Sequence, residues 1–190
     1  CCSFRRVDTF DNNHPNYVGE MGPSAAPDLV QLVKESDLIV AVGTRLGEHA
    51  TQGYRLLEHP QPEQKLIHVL QDAYDFGRVF TPTLAIQSDM QAFIEAANAN
   101  SPAQSPHRDA YVADARAKYL ATLDPSASPK GELDLGACMI ALDRRLPADA
   151  IVTSDAGHYT GWVQRFVRYG GQRRFLAPVS GAMGYAVPAA

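Results

Sequence analysis

One loop near the end of the sequence carries polar and backbone groups suited to holding a small anionic molecule. It runs from Thr153 to Tyr159 and reads Thr-Ser-Asp-Ala-Gly-His-Tyr between a predicted strand and a predicted helix. Free N–H groups and the helix dipole favour a phosphate at such a junction. His158 and Tyr159 could add side-chain donors, whereas Asp155 opposes an anion unless its carboxylate turns away. A surface loop in which His158 and Tyr159 cap the helix explains the same residues equally well.

A second loop, Ser180 to Tyr185, reads Ser-Gly-Ala-Met-Gly-Tyr. Glycines on both sides of Met183 let the backbone approach a ligand closely, and the flexible thioether can fill an apolar contact. The alternative is that Met183 belongs to the hydrophobic core, and spacing alone favours that alternative.

A third candidate follows another predicted strand and reads Val-Gly-Thr-Arg-Leu-Gly over residues 42–47. Gly43 would let a ligand reach the backbone, and Arg45 could pair with a phosphate. A strand-to-helix turn with a surface arginine is the favoured alternative, because a single glycine turn is a weak motif.

Several other classes of protein do not fit the sequence. It has no phosphate loop and no GxGxxG, HExxH or GxSxG motif. Its histidines have no metal-ligand spacing with each other or with cysteine, so no protein-bound zinc is implied. The 17 basic and 21 acidic side chains give a net charge of −4, which disfavours nucleic-acid binding. No apolar run reaches the roughly 20 residues of a membrane helix. Cys1, Cys2 and Cys138 contain no CxxC pair and indicate free thiols in the cytoplasm.

The elements that must position these loops alternate between helix and strand. Continuous apolar runs predict strands, the first of them buried on both faces of a parallel sheet. Ser88 with Gln91 predicts a capping box, opening a helix with Met90, Phe93, Ile94 and Ala97 inward. This alternation predicts an α/β fold with parallel sheets. In order, the elements predicted over the first part of the sequence are a helix at Pro27–Asp37 and strands at 38–42, 65–69 and 84–86.

The composition changes at residues 98–130, where we expect a linker that includes a solvent-exposed helix with Tyr111, Ala115 and Tyr119. An amphipathic helix with Leu135, Cys138, Met139, Leu142 and Leu146 inward begins the remainder. It is followed by a strand at 150–153, a helix at 159–169, a strand at 175–177 and a further helix just beginning at the end. Because that last element looks interrupted and residue 1 is Cys, we expect the sequence to be a fragment of a longer chain.

Two pairs of segments resemble one enzyme family. Residues 10–19 (Phe-Asp-Asn-Asn-His-Pro-Asn-Tyr-Val-Gly) and 42–48 resemble the central domain of thiamine diphosphate-dependent enzymes of the acetolactate synthase type. Residues 151–162 and 180–190 resemble the opening of the same family's diphosphate-binding domain, and Ser-Gly-Ala-Met-Gly-Tyr-Ala-Val-Pro-Ala-Ala is the most specific stretch. The resemblance implies a three-layer Rossmann-like central domain at 1–97, a linker at 98–130, and the first part of a second α/β domain at 131–190.

The resemblance also implies a cofactor and the residues that contact it. In the family, the loop after the first strand of the last domain meets the diphosphate, which corresponds to Ala156, Gly157, His158 and Tyr159. The methionine of the glycine-rich stretch lies under the cofactor and forces its two rings into a bent arrangement. This residue corresponds to Met183, with Gly181 and Ala182 supplying backbone beside it. The deprotonated cofactor attacks a 2-oxo acid and accepts the electrons released as CO2 leaves, while the protein orients it.

Other parts of the family's machinery have no counterpart here. The resemblance places the Mg²⁺ site and the activating glutamate outside this sequence, so it implies no catalytic or metal-binding residue within it. Where common relatives carry glutamine and then histidine after the glycine, this sequence has His158 and Tyr159. We therefore expect an inactive fragment of a decarboxylase or carboligase that is a dimer or tetramer when complete.

Two other functions are compatible with the residues. The first is a non-catalytic module that binds FAD or ADP at the turn from Gly43 to Gly47. The second is a structural spacer that buries a subunit interface. A nicotinamide oxidoreductase fits less well because its glycine fingerprint is missing. The sequence leaves the 2-oxo acid donor and acceptor undetermined.

Overall fold

A computed structural model describes residues 1–100, 105–125 and 131–190. The α/β class expected from the sequence is confirmed, and the described strand pairs are all parallel. The strands are β1 (Cys2–Ser3), β2 (Glu20–Met21), β3 (Leu38–Val42), β4 (Lys65–Leu70), β5 (Leu84–Gln87), β6 (Ile151–Thr153) and β7 (Arg174–Leu176). The helices are α1 (Pro27–Glu35), α2 (Met90–Ala99), α3 (Pro106–Thr122), α4 (Leu135–Asp143), α5 (Thr160–Phe166) and α6 (Ala186–Ala189).

The described residues form two compact units. One comprises Cys1–Leu29 and Ala110–Ala190, and the other comprises Val30–Asp109. The domain boundaries expected at 97/98 and 130/131 stay predictions. Residues 101–104 and 126–130 of the expected linker lie outside the described residues.

The unit Val30–Asp109 contains a three-stranded sheet in the order β3-β4-β5. Central β4 is the most buried strand: Leu66 and Val69 are fully enclosed. The expectation that β3 is buried on both faces was wrong. Ala41 is buried, but Leu38, Val40 and Val42 are 45%, 50% and 38% exposed. Because successive side chains point to opposite faces, only one face of this edge strand is packed.

The N-cap of helix α2 lies one residue later than expected. The side chain of Asp89 accepts hydrogen bonds from the N–H groups of Gln91 (2.9 Å) and Ala92 (3.2 Å), so Asp89 and not Ser88 is the N-cap. The expected inward face is only partly correct. Met90 and Phe93 are half-buried, whereas Ile94 and Ala97 are exposed.

The other unit has a small core, and the contribution of the first residues of the sequence to it was not predicted. Val7, Val167, Tyr169 and Phe175 are fully buried and pack together. The parallel pair β6–β7 supplies Phe175, and the segment between β1 and β2 supplies Val7. The polar, turn-rich opening of the sequence therefore contributes to the core and pairs β1 with β2.

Three helices of this unit differ from expectation. Helix α3 is present, but Ala115 and Tyr119 are buried instead of exposed, because Tyr119 packs edge-on against Tyr17 with ring centroids 5.2 Å apart. Helix α4 is present, but the residues expected on its inward face are largely exposed, including Leu135, Cys138 and Leu142. Helix α5 ends at Phe166 instead of continuing to residue 169, because the backbone becomes extended where Val167 enters the core.

No helix in the described ranges is long and apolar enough to cross a bilayer.

Candidate functional site

The structure brings the two glycine-containing loops together. We refer to residues 154–159, after β6, as the Asp155 loop and to residues 180–185, before α6, as the Met183 loop. The backbone N–H of Gly184 donates a hydrogen bond to Asp155 Oδ2 over 2.6 Å, and the N–H of Ala156 donates to Asp155 Oδ1 over 3.0 Å. The carboxylate of Asp155 is therefore engaged by backbone donors of both loops.

The protonation of Asp155 follows from these contacts. Desolvation acts to raise the pKa of Asp155, but hydrogen bonds from the backbone N–H groups of Gly184, Ala156, Tyr185 and Ala186 hold it below its usual value. The carboxylate is thus ionised at neutral pH. Its negative charge is directed at the Met183 loop.

Tyr159 closes the Asp155 loop on itself. The N–H of Asp155 donates to the Tyr159 hydroxyl over 3.1 Å, and a Cβ on Gly157 would lie 2.7 Å from Tyr159 Cε1. A larger residue at 157 would therefore require the Tyr159 ring to move. Tyr159 stands at the N-cap position of α5, as in the alternative of a surface loop that caps the helix, but its side chain makes no cap hydrogen bond.

Free donors remain in the Asp155 loop. The backbone N–H groups of Gly157, His158 and Tyr159 make no hydrogen bond to any residue within the described ranges. The side chains of His158 and Tyr159 are exposed. Three successive unpaired N–H groups are the kind of donor set that binds phosphate oxygens.

The Met183 loop presents its methionine to the surface. Gly181 and Gly184 have φ values of 75° and 87°, a region that favours glycine. Between them, Met183 is 85% exposed and Ala182 is exposed as well. The alternative in which Met183 is a core residue is therefore wrong for the described chain.

The Gly43–Gly47 turn has a different character. Gly43 has a φ of 68°, and a Cβ there would lie 3.1 Å from Met90 Sδ. Arg45 Nε forms an ion pair with Asp75 Oδ2 at 2.7 Å, and its side chain is 76% exposed. Arg45 is thus a surface arginine, as the alternative of a plain strand-to-helix turn predicts, and its charge is already paired with the carboxylate of Asp75.

Two features were missed because the sequence gives no signal for them. The first is Arg5, whose Nη2 would lie 3.9 Å from a Cβ on Gly181 and whose charge interacts with Asp155 and Tyr159. The second is a cavity of about 210 Å³ bordered by β2, α1, α3 and α5, and Glu20 is one of the residues that line it. Burial raises the pKa of Glu20 to about 7, and its Oε2 atom is buried with no hydrogen-bond partner in the described residues.

No group of three or more His, Cys, Asp or Glu side chains suited to a metal ion occurs among residues 1–100, 105–125 and 131–190. Cys1, Cys2 and Cys138 are free thiols.

Comparison with protein families identifies the chain. The family model described as thiamine pyrophosphate enzyme, central domain, matches residues 1–97. The chain belongs to the thiamine pyrophosphate enzyme family. The membership expected from the sequence is therefore confirmed, and the parallel α/β fold agrees with the Rossmann-like central domain of this family.

Curated relatives of this thiamine pyrophosphate enzyme chain include two kinds of enzyme. The large subunit of acetolactate synthase isozyme 2 from Escherichia coli (strain K12) is 24% identical over 190 residues, covering 100% of this chain and 33% of that protein. Sulfoacetaldehyde acetyltransferase from Alcaligenes xylosoxydans xylosoxydans is 25% identical over 214 residues, covering 97% and 35%. Acetolactate synthase from Mycobacterium avium is 27% identical over 189 residues, covering 95% and 30%. The chain spans about a third of the length of these relatives.

Proposed function

We propose that this chain supplies part of the cofactor cleft of a thiamine diphosphate- and Mg²⁺-dependent 2-oxo acid decarboxylase or carboligase of the acetolactate synthase type. The observation that carries the proposal is the hydrogen bond from Gly184 to Asp155, which joins the Asp155 loop to the Met183 loop. These are the two segments that the family resemblance assigns to the cofactor. Similarity to acetolactate synthases across nearly the whole chain supports the same proposal.

The Asp155 loop would hold the diphosphate. Ala156 is half-buried, whereas Gly157, His158 and Tyr159 are exposed, and the N–H groups of these three are free within the described chain. The imidazole of His158 and the hydroxyl of Tyr159 add polar groups there. Backbone donors of this kind bind phosphate oxygens without the entropy cost of ordering a long side chain.

The Met183 loop would hold the ring end of the cofactor. Gly181 and Ala182 offer backbone groups without bulky side chains, and Met183 offers an exposed thioether for an apolar ring. Thiamine diphosphate supplies, when bound, the nucleophilic carbon and the electron sink that decarboxylation requires. This chain's own residues bind and orient it. Mg²⁺ ligands and the activating glutamate are assigned outside this sequence.

The proposal extends to partners and location. The substrate class is a small 2-oxo acid, and the full-length protein is proposed to be a homodimer or homotetramer. The three unpaired cysteines support a cytoplasmic location, because the cytosol keeps thiols reduced. The 190-residue segment by itself is proposed to be inactive.

Calorimetric titration of the full-length protein with thiamine diphosphate, followed by an assay of CO2 release from pyruvate, tests the proposal. We expect binding that depends on Mg²⁺ and turnover that requires both cofactors. Tight binding of FAD or ADP with no effect of thiamine diphosphate would instead support the nucleotide-binding module. No ligand effect, together with concentration-dependent self-association, would support the structural spacer. Turnover by the isolated segment would contradict its proposed inactivity.

A further inference from the structure

Arg5 has a partly buried guanidinium whose hydrogen-bond donors are not all paired. Arg5 comes two residues after the end of β1, and its side chain is half-buried. Its Cζ atom lies 4.8 Å from the centroid of the Phe4 ring. Its Nε and Nη1 atoms are buried and have no hydrogen-bond partner among the described residues. One face of the guanidinium is therefore covered by an aromatic ring while two of its nitrogen donors remain unused.

Such an arrangement is costly unless something compensates it. Buried donors without acceptors lose their hydration and gain nothing in return, and the loss is larger for a charged group. Arginine cannot readily lose its proton, so neutralisation does not relieve the cost. Burial lowers the pKa of Arg5, while the nearby Tyr159 and Asp155 act to raise it. An additional acceptor would relieve the cost directly.

The same guanidinium lies beside the candidate cofactor site through its third nitrogen, Nη2. A Cβ placed on Gly181 would be 3.9 Å from Arg5 Nη2, which brings the guanidinium next to the Met183 loop. The Asp155 oxygens accept hydrogen bonds from Gly184 and Ala156. No carboxylate in the described ranges lies within 4 Å of the Arg5 nitrogens. Asp155 is thus close enough to influence Arg5 without pairing with it.

We propose that Arg5 is an anion-binding residue of this cleft, placed to pair its guanidinium with phosphate or carboxylate oxygens of a bound molecule. The inference rests on the proposed function, because the two loops are the cofactor site of that proposal. The anion is either the diphosphate of the cofactor or the carboxylate of the 2-oxo acid. A planar guanidinium suits both, since it can donate two parallel hydrogen bonds to either group.

The experiment compares Arg5→Ala, Arg5→Lys and Arg6→Ala in the full-length protein. Arg6 is the matched control because it is the adjacent arginine and its side chain is exposed. The dissociation constant for thiamine diphosphate is measured by calorimetry, and KM is measured for pyruvate. If Arg5 binds the diphosphate, Arg5→Ala raises the dissociation constant roughly tenfold or more. If Arg5 binds the substrate carboxylate, that constant is unchanged and KM rises by a similar factor.

Arg5→Lys separates a binding role from a role in folding. Lysine keeps the charge and the apolar stem but loses the two-pronged donor, so we expect partial recovery of the affected constant. Unchanged constants for both Arg5 variants, as for Arg6→Ala, would overturn the inference. An equal loss of thermal stability in both, with binding of the folded fraction unaffected, would overturn it too.

A failure of the proposed function is distinguishable from a failure of this inference. If the unmodified protein does not bind thiamine diphosphate, the proposed function fails. Inorganic pyrophosphate then replaces the cofactor, and its stabilisation of the protein is followed by thermal unfolding. Stabilisation that is lost in Arg5→Ala and retained in Arg6→Ala would still support an anion site at Arg5. Equal stabilisation of all variants, or of none, would exclude such a site.

Discussion

Asp155 and Gly184 are 29 positions apart in the sequence and joined by a hydrogen bond of 2.6 Å from the Gly184 N–H to Asp155 Oδ2. Gly184 has a φ of 87°, and its N–H is directed at the carboxylate instead of at the backbone of its own turn. The second oxygen of Asp155 accepts from the Ala156 N–H. One side chain therefore sets the relative positions of two loops that the proposed cofactor needs at once.

Replacing Asp155 with alanine should weaken thiamine diphosphate binding several-fold in the full-length protein. The loss follows because the Met183 loop is no longer tied to the Asp155 loop, and a charge-assisted hydrogen bond is lost. Asp155→Asn should be intermediate, since its side-chain oxygen still accepts but carries no charge. Titration calorimetry measures the effect. Asp149→Ala, at an exposed position, is the control. Unchanged affinity in Asp155→Ala would show that the hydrogen bond does not organise the site.

The contact between the loops also has a pH dependence. The pKa of Asp155 lies below its usual value, so the carboxylate favours the folded state above its unfolded pKa. This contribution is lost as the pH falls through the folded pKa. Affinity for inorganic pyrophosphate should therefore show no change attributable to Asp155 near neutral pH. A change near neutral pH that Asp155→Asn abolishes would contradict this assignment.

Met183→Ala should lower turnover of the full-length protein and leave its stability nearly unchanged. The side chain is 85% exposed, so its truncation removes little packing and should change the free energy of unfolding by less than about 0.5 kcal/mol. Steady-state kinetics and thermal unfolding test the two parts. Val179→Ala, another exposed apolar side chain, serves as control. Unchanged turnover in Met183→Ala would contradict the proposed role of the methionine.

Sequence patterns predicted strands β3 to β7 well, because these carry short apolar runs between turn residues, but they missed the parallel pair β1–β2. Strands β4 and β6 illustrate such runs. Burial was predicted less well. Alternation of exposed and buried residues in β3 depends on which face is covered, and a continuous apolar run contains no information about that. Tyr119 is buried by contact with Tyr17, a residue 102 positions away that local periodicity cannot register.

The site was predicted only where a recognisable motif exists. The glycines around Met183 and the loop ending in Tyr159 both carry such a motif, and whether they bind a cofactor stays a prediction. Arg5 belongs to no motif. It is a candidate only because two of its buried nitrogens are unpaired and because it lies close to Gly181 in the structure. Asp155 was expected to oppose an anion unless its carboxylate turns away. The hydrogen bonds that its carboxylate accepts from backbone N–H groups depend on tertiary structure that the sequence does not show.

Glu20→Gln should remove a pH dependence of stability. Burial raises the pKa of Glu20 to about 7 from a reference of 4.5, so the folded state holds this proton more tightly than the unfolded state. The folded protein therefore loses stability from this group as the pH rises from about 4.5 through 7. Urea unfolding midpoints of the full-length protein measured across that range should fall more steeply for the unmodified protein than for Glu20→Gln.

The control for Glu20 is a carboxylate that is not buried. Glu63 is exposed, and Glu63→Gln should leave the pH profile unchanged. The same profile in the unmodified protein and in Glu20→Gln would mean that Oε2 finds a partner in the full-length protein. The cavity beside Glu20 would then be filled, and the pKa would be close to ordinary.

Asn12 connects the start of the sequence to its last part. It is 1% exposed, and its Nδ2 donates to the carbonyl oxygens of Val7 and Phe10, each over 2.9 Å. Its Oδ1 accepts from the N–H of Tyr169 over 2.9 Å, and its own N–H donates to the Tyr169 carbonyl over 2.7 Å. Every polar atom of this buried side chain is therefore paired, which ties the segment before β2 to the segment before β7.

Asn12→Ala should destabilise the protein by about 3 kcal/mol, because it leaves two carbonyls and one N–H without their buried partner. Asn12→Asp should be at least as harmful, since a carboxylate oxygen would face the Val7 and Phe10 carbonyls in place of a donor. The midpoint of urea unfolding measures both variants, with the exposed Asn16→Ala as control. A shift in Asn12→Ala no larger than that of Asn16→Ala would show that water replaces the lost hydrogen bonds.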